Sequence, residues 1–339
     1  MIVENAKVKN SIFAPRKKEH SFIAMNSFLH IGELISLCVA VSWTATALFA
    51  DVASHRLGAL PLNLIRMVIS LIFLTTALWV VTGVPYPVHA DATTWFWLGL
   101  SGLVGYVFGD ICLFNSYIVF GSRYGQLFMT MSPLTAGIAG WILLGEKLSW
   151  HSWLAMLVTI SGIAITILVK GNNDHKLKLK LPLKGVLFGI GAGMGQGMGL
   201  VLSKIGLEHY TATLPSDTPE IFTTMMPFAG TFIRAIFGFT GFLIILSLKR
   251  MMPQVKRGLH DRKGMINAAL TTFFGPFLGV SLSLMAVQHT EAGIASTLMA
   301  LTPVLIIVPY AIINHQKISF KEVLGTMVTM VGVALFFLL

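Results

Sequence analysis

Three ionisable side chains lie inside long apolar stretches of the chain: Arg66, Asp110 and Arg234. Where such a stretch crosses a bilayer, a charged group is costly and usually faces a cavity or an oppositely charged partner. Asp110 is a candidate proton carrier, since a carboxyl removed from water takes up a proton more readily. The alternative is that Asp110 only forms a hydrogen bond to a neighbouring helix.

The two arginines offer a different chemistry, which is the binding of anions. An arginine keeps its charge in any accessible environment, and its planar guanidinium matches a carboxylate or a phosphate. Arg66 lies six residues into its predicted helix, where it could also snorkel to the membrane interface. Arg234 lies deeper in its helix, so we expect it to face a cavity or an ion-pair partner, which Asp110 could be.

Aromatic residues accompany Asp110 at helical spacing. Tyr106, Asp110, Leu113 and Tyr117 follow an i, i+4, i+7 pattern, which places them on one helix face. Tyr117 is therefore a candidate pathway residue. Trp43 either lines the same cavity or packs between helices.

Two prolines interrupt predicted helices at matching places. Pro133 and Pro303 each free a carbonyl one turn upstream, which suits a hinge or an exposed backbone ligand. A packing kink without further function explains them equally well. Gln126 and Thr130 share the helix face of Pro133, and we include Gln126 among the candidate pathway residues.

A run of alternating glycines extends from Gly189 to Gly199. It is superficially similar to a phosphate-binding loop, but it lacks the Gly-Lys-Ser/Thr ending and a preceding strand. Glycines at every second position predict either close packing on more than one side of a helix or a locally unwound segment. Gln196, the polar exception in the run, is expected to contact a ligand or to form an interhelical hydrogen bond.

Composition indicates which kind of element holds these residues. Of 339 residues, 55% are apolar and 11% are charged, and the mean hydropathy is +0.78. Soluble proteins carry about 25% charged residues, so we expect an all-α integral membrane protein. The net charge of +10 comes from basic stretches between apolar segments, which indicate membrane orientation rather than nucleic-acid binding. Cys38 and Cys112 lie in apolar runs, so no metal site, disulfide or cofactor is predicted.

Apolar runs bounded by Pro, Gly and charge predict ten helices. They span 31–50, 60–82, 94–118, 122–144, 150–169, 183–204, 221–248, 265–288, 292–313 and 320–339. Glu146 and Lys204 lie near predicted helix ends, so we expect the first to be solvated and the second to snorkel.

The two halves of the chain repeat each other. At a constant offset of 170, residues 121–169 pair with 291–339, and 11 of these 49 pairs are identical. The same offset pairs Gly105 with Gly275 and Gly109 with Gly279, and Arg66 pairs with Arg234 at an offset of 168. We therefore divide the chain into a polar tail (1–30), a first five-helix repeat (31–170), a basic linker (171–182) and a second repeat (183–339).

An odd number of helices in the repeating unit has a topological consequence. The second copy must enter the membrane upside down relative to the first. Inverted repeats around a central site are the architecture of alternating-access transporters. Duplication that merely builds a stable bundle is the alternative.

Short motifs in both halves resemble those of a known family, the EamA-type ten-helix members of the drug/metabolite transporter superfamily. The motifs are Trp43-Thr44, Leu64-Ile65-Arg66, Ser132-Pro133, Leu144-Gly145-Glu146-Lys147-Leu148 and Ser161-Gly162-Ile163-Ala164, with Arg234, Thr302-Pro303 and Val331-Gly332-Val333-Ala334 in the second half. The family pattern differs at Thr44, at Gln196-Gly197 and at Asn314-His315-Gln316. The last difference removes the second-half counterpart of Glu146.

The repeat and the resemblance together predict a secondary permease. We expect it to export a small organic metabolite such as an amino acid across the cell membrane, with protons as a candidate coupling ion. An exchanger of anions, phosphates or nucleotide-linked sugars is the alternative within transport, because two arginines could clamp a phosphate. A lipid-handling enzyme is disfavoured by the lack of a paired nucleophile and base, and a lipid-anchored partner-binding protein is the last alternative. The orientation stays open, because the basic tail and the basic connectors favour opposite sides.

Overall fold

The computed structural model describes residues 30–168, 182–313 and 320–338, and these residues form helices without strands. The predicted tail, except its last residue, and the predicted linker, except Pro182, lie outside the described residues. Asn314, His315 and Gln316 also lie outside them.

Between residues 30 and 168, the described part of the first half, the chain forms six α-helices and one π-helix. They are α1 (Ile31–Leu57), α2 (Ala59–Thr82), α3 (Ala92–Gly102), π1 (Leu103–Asp110), α4 (Ile111–Met129), α5 (Met131–Leu144) and α6 (Trp150–Leu168). The second half contains α7 (Leu183–Thr213), α8 (Glu220–Leu248), α9 (Met252–Leu259), α10 (Arg262–Thr272), π2 (Phe273–Val280), α11 (Ser281–His289), α12 (Ala292–Met299), α13 (Thr302–Leu305), α14 (Ile307–Ile313) and α15 (Phe320–Leu338).

Much of this helical surface is suited to lipid. Within the described residues, seven segments are long and apolar enough to cross a bilayer: Ile31–Leu57, Ala59–Thr82, Ala92–Val119, Leu183–Thr213, Glu220–Leu248, Arg262–His289 and Ala292–Pro309. Met131–Leu144 and Val323–Leu335 are shorter apolar helices. Side chains such as Trp79 and Val80 are 63% and 75% exposed, which an apolar solvent favours. The chain is an integral membrane protein with several spans.

Two of the predicted helices are broken rather than continuous. The segment predicted at 122–144 divides at Thr130, and the one at 292–313 divides at Ala300 and again at Ile306. Pro133 and Pro303 lie in the first turns of α5 and α13, where the missing N–H of a proline costs nothing. The prolines therefore begin new helices instead of bending long ones. Gly121 has a φ of 85° inside α4 and marks the predicted boundary between two helices.

Each half also contains an eight-residue π-helix inside a segment that was predicted as regular α-helix. Leu103–Asp110 and Phe273–Val280 lie 170 residues apart, which is the offset of the sequence repeat. A π-helix widens the turn and commonly occurs at functional sites. Each half therefore contains a π-helix at the same position of the repeat.

The alternating glycines form two packing faces on one continuous helix. Gly191, Gly195 and Gly199 contact the segment that includes π1, while Gly189, Gly193 and Gly197 contact the segment from Phe128 to Ala136. Since α7 runs unbroken from Leu183 to Thr213, the expectation of close packing is confirmed and that of an unwound segment is wrong.

Helices α6 and α15 cross through reciprocal contacts. Gly162 packs against Thr329, and Gly332 packs against Thr159. Both pairs of equivalent residues are 170 apart, so each half uses the same patch on the other. Contacts of this kind are typical of two copies related by a two-fold axis.

Candidate functional site

A small cavity lies in the interior, where α1, α2, π1, α4, α7 and π2 meet. Its volume is about 60 Å³, and it is lined by Trp43, Thr46, Arg66, Tyr106, Asp110, Leu113, Phe114, Tyr117, Gln126, Met129, Gln196, Gly275 and Val280. Six of the seven side chains selected from the sequence are among them: Trp43, Arg66, Asp110, Tyr117, Gln126 and Gln196. The seventh, Arg234, contacts Tyr106 of the lining.

Asp110, the last residue of π1, is held from two sides. Its Oδ2 accepts a hydrogen bond from Nη1 of Arg66 at 3.1 Å, and its Oδ1 accepts one from Nε2 of Gln196 at 2.9 Å. Gln196 also reaches the carbonyl of Gly105 at 3.3 Å. The carboxyl is 5% exposed, and each of its oxygens has an N–H donor. In this conformation Asp110 joins α2 and α7 to π1, with Arg66 as its ion-pair partner.

Arg66 lies in the interior and does not snorkel to the interface. It is 4% exposed, and its Nη1 also donates to Oδ1 of Asn63 at 2.9 Å. Its guanidinium carbon lies 4.6 Å from the ring centroid of Phe114. Every residue from Ala59 to Met67, at the start of α2, is buried. The first turns of this helix therefore lie inside the protein, and Arg66 with them.

Arg234 is as deeply buried but has different neighbours. It is 4% exposed, its Nη1 donates to the hydroxyl of Ser203, and its guanidinium carbon lies 5.0 Å from the ring centroid of Tyr106. Among the described residues, no carboxylate lies within ion-pair distance of Arg234. The expected pair with Asp110 is therefore absent from this conformation, because Arg66 occupies that place.

The two arginines make reciprocal contacts with the two π-helices. The Nη2 atom of Arg66 fills the space beside Gly275 in π2, and that of Arg234 fills the space beside Gly105 in π1. A side chain at either glycine would meet the guanidinium group. Each half therefore inserts its arginine against the π-helix of the other half.

Tyr117 and Gln126 close another part of the cavity. Nε2 of Gln126 donates to the Tyr117 hydroxyl at 2.5 Å, and Gly125 leaves room for the Tyr117 ring. The indole of Trp43 packs against Gly279 of π2 and contributes to the cavity wall.

The prolines lie outside this lining. The hydroxyl of Thr302 donates to the carbonyl of Met299, which Pro303 leaves without its helical partner, at 3.0 Å. The hinge role of Pro133 and Pro303 stays a prediction.

An ion pair that the sequence did not suggest joins the halves near the start of α1. Nζ of Lys204 lies 2.6 Å from Oε1 of Glu146, and the two side chains are 12% and 11% exposed. Lys204 also donates to the carbonyl of Thr290 at 3.0 Å, and Glu146 accepts from the N–H of Ala292 at 3.2 Å. The expectation of a solvated Glu146 and a snorkelling Lys204 is wrong, because each is the buried partner of the other.

A second ion pair between the halves lies at the other end of α1. Nε and Nη2 of Arg56 donate to the two carboxylate oxygens of Asp261, each at 2.7 Å. The Arg56 guanidinium holds the pKa of this carboxyl below its usual range. Gly32, near the start of α1, packs against Thr290. The 27 residues of α1 therefore separate the two ion pairs.

A larger cavity, of about 590 Å³, lies among the ends of α7, α8 and α11. Its lining includes Glu208, Thr224, Met226, Gln288 and His289. Glu208 lies one helical turn beyond Lys204 on α7, and His289 directly precedes Thr290, so this cavity adjoins the Glu146–Lys204 pair. Within the described part of the chain, no cluster of His, Cys, Asp and Glu is suited to hold a metal ion.

Comparison with known proteins is consistent with this architecture. A solved structure described only as "Crystal structure of protein" is 15% identical, with a TM-score of 0.63 over 91% of this chain and 96% of that chain. At that identity the likeness concerns the fold alone. No curated protein matches the chain. The model of the EamA-like transporter family matches residues 30–168 and 218–338, and members of this family are transporters and not enzymes. The chain belongs to the EamA-like transporter family.

Proposed function

We propose that the protein is a secondary permease that moves a small organic metabolite across the cell membrane by alternating access. The observation that carries this proposal is a buried cavity with charged walls between two ion pairs that join the halves of the chain. Such a cavity is an occluded binding site when both ends are closed, and a pathway when either end opens.

Ten spans in two inverted five-helix repeats are part of the proposal. The reciprocal contacts of Gly162 and Gly332, and those of Gly105 and Gly275, support a two-fold relation between the halves. With five spans in each half, that axis lies in the plane of the membrane, and rocking about it exposes the cavity to each side in turn.

The two ion pairs are the candidate gates. Opening toward the larger cavity separates Lys204 from Glu146 and from the carbonyl of Thr290, while Arg56 and Asp261 keep the far end closed. Opening at the far end reverses the two states. The Glu146–Lys204 pair is the more buried of the two, so its separation depends more on the entry of water or substrate.

For the substrate we propose a small polar metabolite such as an amino acid, exported from the cell. A carboxylate suits the guanidinium of Arg66, and Asp110 offers a carboxylate to an ammonium group. The sequence holds no nucleotide-binding motif, so we propose a gradient, of protons or of a counter-substrate, as the driving force. An exchanger of anions is the second candidate, which the two buried arginines favour.

A cross-link across the first gate tests the proposal. In a variant in which Cys38 and Cys112 are replaced by serine, Glu146→Cys and Lys204→Cys are joined by a short bis-methanethiosulfonate reagent, because the contact is made by the ends of two long side chains and a direct disulfide needs Cβ atoms about 3.8 Å apart. Reconstituted flux of labelled metabolites should stop in the cross-linked protein and return after reduction, because the closed gate blocks alternation. The two single-cysteine variants are the controls. Undiminished flux in fully cross-linked protein would contradict this mechanism.

A further inference from the structure

One pair of equivalent positions in the cavity wall differs in charge between the two halves. Asp110 ends π1, and the residue that ends π2, 170 positions later, is Val280. Both residues line the same cavity. One half therefore presents a carboxylate where the other presents an isopropyl group.

Although Asp110 and Val280 differ, a hydrogen-bond donor lies beside each of them. Beside Asp110, Nε2 of Gln196 packs against Gly109 of π1 and donates to the carboxylate. In the other half, Nε1 of Trp43 packs against Gly279, which is the equivalent of Gly109. An indole N–H is a donor that has no acceptor function. Each half thus places one N–H donor next to the end of a π-helix.

The arginines complete the comparison. Arg66 contacts Gly275 in π2 and pairs with Asp110 at the end of π1. Arg234 contacts Gly105 in π1, and its equivalent partner would be residue 280 at the end of π2. Since that residue is Val280, the two donors that correspond to Gln196 and Arg66, which are Trp43 and Arg234, lack the carboxylate acceptor.

The charged side chains of the buried interior also indicate a missing acceptor. Among the described residues, three charged side chains are fully buried: Arg66, Asp110 and Arg234. Arginine does not lose its proton in proteins. Two buried arginines face one buried carboxyl group, so the interior carries at least one positive charge that no fully buried side chain in the described part of the chain compensates. The Nε atoms of both arginines are also buried without a hydrogen-bond partner among the residues that the structure describes.

We propose that the transported molecule is an organic acid with one net negative charge, and that its carboxylate binds beside Val280 between the indole N–H of Trp43 and the guanidinium of Arg234. This inference rests on the proposed function and specifies the substrate class of the same cavity. The substrate carboxylate supplies the acceptor that Asp110 supplies in the first half. An acidic amino acid and a hydroxy acid both have this net charge.

The test compares acids with their amides, each of which carries one negative charge less than the acid. Purified protein is assayed with two matched pairs, glutamate with glutamine and lactate with lactamide, for flux in liposomes and separately for thermal stabilisation in detergent. A charge-assisted hydrogen bond contributes about 1.5–3 kcal/mol, so wild type should prefer at least one acid over its amide by about tenfold or more. A preference for the amides, or for lysine as a cationic probe, would overturn the inference.

Three variants locate the carboxylate. Val280→Asp supplies the missing acceptor from the protein itself and should reduce the preference to within about twofold, whereas the isosteric Val280→Asn should retain it. Trp43→Phe keeps an aromatic ring, removes the N–H and should weaken acid binding alone. Should Val280→Asp not fold, Arg234→Gln removes the same excess charge, and Arg234→Lys should restore part of the preference. An unchanged preference in all of these variants would refute the location.

The two readouts separate this inference from the proposed function. Acids that stabilise the protein in a Val280-dependent way without any flux would support the inference and contradict transport. Flux of amides or cations but not of acids would support transport and overturn the inference. No flux and no stabilisation by either acid would count against both.

Discussion

Removing the charge of Asp110 should be among the most destabilising single substitutions in this protein. Asp110→Asn replaces an acceptor for Arg66 and Gln196 by an amide whose NH₂ group must face one of these donors. Breaking a buried ion pair from one side costs about 3–5 kcal/mol, because the other charge stays buried without compensation. Both buried arginines would then lack a buried carboxyl group with which to pair.

The measurement is the free energy of unfolding in detergent, with Arg66→Gln and the double variant completing a cycle. Because the double variant contains neither charge, we expect it to be more stable than the sum of the single effects by at least about 1 kcal/mol. A loss below about 1 kcal/mol in Asp110→Asn, together with strict additivity, would refute the ion pair as a structural element.

The same variant tests proton coupling. The amide mimics a protonated carboxyl, so in liposomes Asp110→Asn should abolish substrate accumulation driven by a pH gradient and retain exchange of labelled for unlabelled substrate. Accumulation equal to that of wild type would exclude Asp110 as the proton carrier.

Three further outcomes follow from the contacts. Gly195→Ala should lower the free energy of unfolding by about 1–3 kcal/mol, since a methyl group there meets the backbone of Gly109. Met194→Ala, on the exposed side of the same helix, is the control, and its free energy of unfolding should stay within about 0.5 kcal/mol of wild type. Both are measured by thermal unfolding. The carboxylate of Asp91 accepts a hydrogen bond from His209 at 2.9 Å, and this bond lowers the pKa of Asp91 to about 2. The pKa in the folded protein is therefore below the ordinary value of about 3.9. The stability difference between wild type and Asp91→Asn should be complete above pH 5 and disappear as the pH falls toward 2. Cysteines at equivalent positions of α5 and α14, 170 residues apart, should change their labelling rates in opposite directions when substrate is added, and parallel changes would contradict rocking of the two halves.

The sequence predicted which residues meet in the cavity better than it predicted how they pair. Polar residues within apolar segments have few places where their cost is offset, so Asp110, Arg66 and Gln196 could be selected without coordinates. Their partners could not be selected, because Arg66 and Asp110 are 44 positions apart and pairing depends on how α2 packs against π1. Arg66 near a predicted helix end was consistent with either the interface or the interior.

The Glu146–Lys204 pair was missed for a related reason. Each residue lies near the end of an apolar run, where a charged side chain is ordinarily solvated. The end of α5 and the part of α7 that holds Lys204 meet beside Thr290, which only tertiary contacts establish. The breaks at Thr130 and Ala300 had a visible signal in Pro133 and Pro303, but a proline three positions downstream is compatible with either a kink or a new helix.

The repeat offset carried more information than any single motif, because it allows each contact in one half to be checked against its equivalent. Gly105, Gly275, Arg66 and Arg234 agree under this comparison, so they belong to what both halves need in order to fold and pack. Asp110 and Val280 differ, although both lie at the end of the same kind of π-helix and both line the cavity. A symmetrical site would offer a substrate two equivalent orientations. Under the proposal that the substrate carboxylate binds beside Val280, the protein supplies one carboxylate and the substrate the other, so the two orientations are no longer equivalent and we expect the substrate to bind in one of them.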